Sequence, residues 1–171
     1  MGVAGTYVLV LRLDTPQIIS VGRLGEVEFP AGWYLYVGSA HGPGGLQARL
    51  ARHRRRLGGE KRAHWHVDHL REHAAWHGAW THTSDRRLEC AWAGALRRLP
   101  GAEIVARGFG ASDCSCPAHL VCVPVLPDDG WFADALGAER NVVGEEQLAQ
   151  LLRTLATGDE EAREAAALAL G

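Results

Sequence analysis

With 171 residues and 47% hydrophobic side chains, the chain suits one globular domain with room for an appendage, and its composition excludes a disordered polymer. No apolar run reaches the roughly 20 residues of a membrane span, MGVAGTYVLVLRLD carries neither a basic leader region nor a cleavage site, and four cysteines are too few for a disulfide framework; a soluble, cytoplasmic protein is expected. The net charge of −2 hides an asymmetry, 15 Lys+Arg against 10 Asp+Glu over residues 1–127 and 3 against 10 over residues 128–171, a pattern that fits a nucleic-acid-facing surface followed by an acidic tail.

Taken in chain order, GTYVLVLRL (5–13) is apolar, β-branched and aromatic, and predicts a buried strand. QIISVG and EVEF predict two short strands punctuated by Gly22 and Gly25. Pro30 and Gly32 turn the chain into WYLYVGSA (33–40), the strongest strand pattern present, and HGPGG (41–45) is a loop. Leu46, Leu50 and Leu57, spaced among arginines, predict a helix with one apolar stripe. HWHVDHLREH (64–73) sets His66, His69 and His73 on one helical face, flanked by Asp68. AWHGAWTHT (75–83) predicts an extended segment with Trp76 and Trp80 on one face. RRLECAWAGALRRL (86–99) predicts a helix that buries Leu88, Ala91, Trp92, Ala95 and Leu99. EIVARGF and HLVCVPVL predict strands on either side of the loop GASDCSCPA. Beyond Pro127 the character changes: leucines at 148, 151, 152 and 155 predict an amphipathic helix, and DEEAREAAALAL a second one capped by Asp159. The order predicts an α+β fold over residues 1–127 and an acidic helical extension over 128–171.

Three groups of residues can carry chemistry. Arg49, Arg52 and Arg56 share a helical face, with His53 one turn past Arg49; the planar guanidinium fork matches phosphate oxygens, although a solvated helix face has the same spacing. Gly38, at a strand end beside Tyr36, permits close backbone approach. The histidines 64, 66, 69 and 73 suit metal binding, proton relay or phosphate contact, or an ordinary wet surface. Cys114, Cys116, His119 and Cys122 offer four zinc-type ligands within nine residues; alternatively Cys122, between Val121 and Val123, faces the core while Asp113 and His119 brace the loop by hydrogen bonds.

GTY (5–7), YVG (36–38), RLARH (49–53) and the later helix bearing Glu89 resemble the motifs of the GIY-YIG nuclease superfamily. FPAGWYLYVGSA, RLARH, HWHVDHL, LECAWA and GFGASDCSCPAHL are more closely similar to DUF123, a GIY-YIG-like family sometimes fused to endonuclease III-type repair glycosylases. The resemblance implies a small central sheet flanked by helices and a metal-dependent DNA endonuclease, or a nuclease-like repair accessory, acting on branched or damaged DNA. It implies one of Tyr7 and Tyr36 near the attacking water, as general base or to orient it, with the other helping to build the site, Arg49 on the phosphate, His53 and His66 (or His64) beside them, and Glu89 holding one Mg²⁺ or Mn²⁺. Arg52, Arg54, Arg55 and Arg56 would grip the nucleic-acid backbone, and an endonuclease III-type enzyme is the implied partner. Tyr7 and Tyr36 stand 29 residues apart, further than in GIY-YIG nucleases, so QIISV and EVEF are expected to form an inserted hairpin. The alternatives are a non-catalytic nucleic-acid-binding module on this scaffold and a structural zinc domain for protein contacts.

Overall fold

The computed structural model describes residues 2–57 and 63–141. Among the described residues there are seven strands, β1 (Gly5–Leu13), β2 (Gln17–Ser20), β3 (Glu26–Phe29), β4 (Gly32–Ser39), β5 (Ala75–Thr83), β6 (Leu120–Val123) and β7 (Glu139–Arg140). The α-helices among them are α1 (Gly45–Arg54), α2 (His66–His73), α3 (Glu89–Leu96) and α4 (Asp129–Leu136). The result is a mixed α/β fold. Five strands form one antiparallel sheet in the order β6-β4-β1-β5-β7, and β2 and β3 pair apart from it as a hairpin. That hairpin is the expected insertion between the two tyrosine motifs, closed by a short 3₁₀ turn at Gly22–Leu24.

β1 is central, and its apolar run is buried on both faces because helices and loops cover both sides of the sheet. Tyr7, Leu9 and Leu11 of β1, with Tyr34 and Tyr36 of β4, meet Leu46 and Leu50 of α1, Val67 and Leu70 of α2, and Phe109. Val8 and Val10, with Leu35 and Val37, meet Trp92 and Leu96 of α3 and Phe132 and Leu136 of α4. The two faces therefore have separate cores, and the body of the helix bearing Glu89 packs on the face opposite the arginine helix.

Three sequence expectations change. Trp76 and Trp80 do not share a face: Val10 pairs with Gly78 and Leu11 with Trp76, so a bulge at His77 sends Trp76 to the first core and Trp80 to the second. EIVARGF is no strand; Glu103 makes one bridge to Cys122, and the chain then turns through 105–110. The 86–99 helix is regular only over α3, where Ala91 is exposed and Ala93 and Leu96 are buried instead.

Residues 128–141, assigned from sequence to the extension, pack within the compact unit that ends at Asn141. Asp128 caps α4 by accepting the Trp131 N–H at 2.8 Å, Trp80 stacks on Phe132 at 4.5 Å, and Trp80 Nε1 donates to Asp129 at 3.1 Å. The leucine repeat at 148–155 and the acidic helix after Asp159 lie outside the described residues. Among the described residues, no helix is long and apolar enough to cross a membrane.

Candidate active site

The β1–β4 register sets Tyr7 opposite Gly38. A Cβ at Gly38 would collide with the Tyr7 hydroxyl and the adjoining ring edge, so glycine is what leaves room for the phenol beside β4. Gly110 does the same for Tyr36: its backbone is left-handed (φ 70°), and a side chain there would strike the Tyr36 ring. Both tyrosines then open into one cleft of about 520 Å³, also lined by Arg49 from α1, His66 from α2, Glu89 from α3 and Asp113 from the loop before β6. His64, the alternative to His66, lines it too.

Burial pushes the Tyr7 phenol well above its ordinary pKa, Tyr36 adding to the effect and Arg49 opposing it. Burial raises Tyr36 as well, again against Arg49. Both phenols are therefore neutral near pH 7. Arg49 is half-buried, its guanidinium 4.3 Å from the centre of the Trp65 ring, which holds the fork over the cleft wall. Glu89 is the first residue of α3, its side chain 14% exposed and one oxygen 3.6 Å from Arg87.

His53 does not line the cleft. It is buried behind it, and its Nε2 lies 2.8 Å from the Tyr7 hydroxyl. Its Nδ1 faces Asp68 at 4.0 Å. Asp68 is fully buried: one carboxylate oxygen accepts from Arg52 Nη2 at 3.1 Å and from the backbone N–H groups of His64 at 2.9 Å and Trp65 at 3.1 Å. Tyr7, His53, Asp68 and Arg52 thus form one polar chain under the site. The helical spacing alone makes Asp68 a flank of the histidine face. The signal for its real place is an acid three residues after Trp65, the spacing of a side chain that reaches back to a helix N-terminus.

His66 accepts the Gly110 N–H on Nδ1 at 3.1 Å, which fixes a neutral ring with its proton on Nε2. Burial, then His69, lowers its pKa. Because the folded value lies below the unfolded one of about 6.5, the unfolded chain binds more protons in acid. The contribution is fully present above that value and is lost as pH falls through the folded value. The melting temperature of the wild type is expected to fall more steeply from about pH 8 to 5 than that of His66→Gln. Parallel profiles would mean that folding does not lower the His66 pKa.

The four arginines assigned to nucleic acid divide. Arg52 is engaged with Asp68, and Arg54 is half-buried with its guanidinium 5.4 Å from Trp76. Arg55 and Arg56 are exposed, Arg56 donating to the Glu72 carbonyl. His41, which the sequence presents only as part of the HGPGG loop, lines the cleft, and its ring nitrogens have no hydrogen-bond partner among the described residues.

The cysteine set changes membership. Cys90, Cys114, Cys116 and His119 place one ligand atom each within 4.8 Å of all the others, and this cluster could hold a metal ion. Cys122 is not part of it. It pairs with Tyr34 and is buried with Leu120 in the first core, whereas His119 precedes β6 and lines the cleft. Cys90 is invisible as a partner in the sequence because 24 residues separate it from Cys114; its position beside Glu89 is the available clue.

The sequence profile of the family described as Domain of unknown function DUF123 matches residues 6–129. No curated protein and no solved structure matches the chain.

Proposed function

We propose that this chain, which belongs to the DUF123 family, is a divalent-metal-dependent DNA endonuclease built on a GIY-YIG-like scaffold. The observation that carries the reading is the convergence of Tyr7, Tyr36, Arg49 and Glu89, from four different elements, on one open cleft. A site for phosphodiester hydrolysis needs a place for the phosphate, a cation fork on its oxygens and a route for the proton of the attacking water.

The donor set fits a hard cation: Glu89, with Asp113 also lining the cleft, would supply carboxylate oxygens and leave room for water and phosphate. Mg²⁺ or Mn²⁺ held there would supply positive charge against the developing charge on phosphate and leaving oxygen. Arg49 binds a non-bridging phosphate oxygen through its fork, already oriented by Trp65. Tyr7 cannot act as a free phenolate, since burial keeps it protonated. It works instead as a relay, accepting the water proton at Oη while passing its own to His53 Nε2, with Asp68 behind the imidazole stabilising the charge formed there. Tyr36 orients the water, and His66 donates from Nε2 to a phosphate oxygen. Arg55 and Arg56 add affinity for the DNA backbone without reading sequence. An endonuclease III-type repair enzyme is the partner that such an activity fits.

A nucleic-acid-binding module without turnover is the second reading, favoured by the two phenols being held neutral. Incubation with single-stranded, branched and abasic DNA in Mg²⁺ or Mn²⁺ separates them. The endonuclease reading expects strand breaks in at least one branched or damaged duplex. Binding to all substrates with no breaks in any would favour the module.

A further inference from the structure

We infer that Cys90, Cys114, Cys116 and His119 form a closed zinc site that fastens the loop before β6 to the first turn of α3. The inference is independent of whether the cleft cleaves DNA. Zinc bound tetrahedrally, with Zn–S of about 2.3 Å and Zn–N of about 2.0–2.1 Å, separates its ligand atoms by roughly 3.6–3.8 Å. The His119 Nε2 stands 3.4 Å from the Cys114 sulfur and 3.9 Å from the Cys90 sulfur, close to both sides of that range. With Cys116 the set is complete, every ligand atom within 4.8 Å of the others. Three sulfurs and an imidazole are soft and borderline donors, which select zinc over the hard cation suited to Glu89. Four protein ligands leave no open position, the arrangement of a structural centre.

The backbone already holds one ligand in place. His119 donates its N–H to the Phe109 carbonyl at 2.8 Å, and its own carbonyl accepts from Val37 of β4 at 2.8 Å. The chain it terminates needs such a tie. Among the described residues the one β-bridge between α3 and β6 is Glu103–Cys122, and residues 104–118 are otherwise held by loop and turn hydrogen bonds such as Gly108 N–H to the Pro117 carbonyl at 2.7 Å, none of which reaches α3. A metal joining Cys90 to Cys114 and Cys116 would link that segment to α3 directly. It would also stand one residue from two cleft carboxylates, Glu89 before Cys90 and Asp113 before Cys114, and its ligand His119 lines the cleft, so zinc would position the cleft wall.

The test is metal content and spectrum on the full chain, purified without a metal-binding tag under reducing conditions from zinc-supplemented medium. Wild type and Cys122→Ala are expected to carry about one zinc per chain, and Cys90→Ala much less. Cobalt exchanged into the wild type is expected to give the intense visible bands of a tetrahedral thiolate site. Should Cys90→Ala fail to fold, the wild-type and Cys122→Ala contents and the cobalt spectrum still decide. A metal-free wild type, a mass showing a disulfide in place of the metal, or zinc lost from Cys122→Ala would each overturn the assignment.

Discussion

Arg49→Ala is expected to cleave at least on the order of 10²-fold more slowly than wild type on whichever substrate wild type cuts. The side chain sits where two requirements meet. It is the cation of α1 that lines the cleft, and its stacking on Trp65 removes the entropy that a long, free side chain would lose on binding phosphate. Losing that stacking costs stability only about 0.5–1 kcal/mol, so the folded protein remains available for assay. Arg49→Lys keeps the charge without the fork and should fall between the two. Wild-type rates in Arg49→Ala would remove the residue from the chemistry.

The second large effect is on folding. Asp68→Ala should cost roughly 3 kcal/mol or more, because it strips the fully buried acceptor from Arg52 and from two backbone N–H groups at once. For a chain of this size that corresponds to a fall of about 6–12 °C in Tm. Asp68→Asn keeps the shape and one acceptor oxygen, and should lose less. Thermal melts of both variants are the check; an alanine variant within about 1 kcal/mol of wild type would mean that Arg52 and the helix N-terminus find other partners. The same chain of contacts makes Arg52→Ala a poor probe of nucleic-acid affinity, since its loss acts first on Asp68.

What can be read from the sequence follows from locality. β1 and β4 are legible because their patterns are continuous and their ends are marked by Pro30, Gly32 and Gly38. Tyr7, Tyr36, Arg49 and Glu89 can be picked out by motif order, and the strand register brings the first two together. The bulge at His77 is hidden, because inserting one residue leaves the apolar spacing of AWHGAWTHT unchanged while reversing which face Trp76 meets. Cys90 and Asp68 are hidden for another reason. Each acts through partners brought near only by folding, Cys90 through a loop 24 residues later and Asp68 through Arg52 and His53 of the preceding helix. The 104–118 segment has apolar residues at strand-like spacing but finds no strand edge to pair with beyond Glu103, and turns instead.

The proposed activity is phosphodiester hydrolysis in this cleft with a cation held on Glu89. The initial rate of strand scission by wild type and Glu89→Gln, titrated with Mg²⁺ on one branched or abasic duplex, tests it most directly. The substitution keeps the size of the side chain and the helix start while removing the charge that would hold the cation. The expected result is a wild-type rate that rises with Mg²⁺ and saturates, with Glu89→Gln lower by about 10²-fold or more at every concentration and binding DNA as before. Equal Mg²⁺-dependent rates for the two proteins, or no scission by the wild type on any duplex, would contradict it.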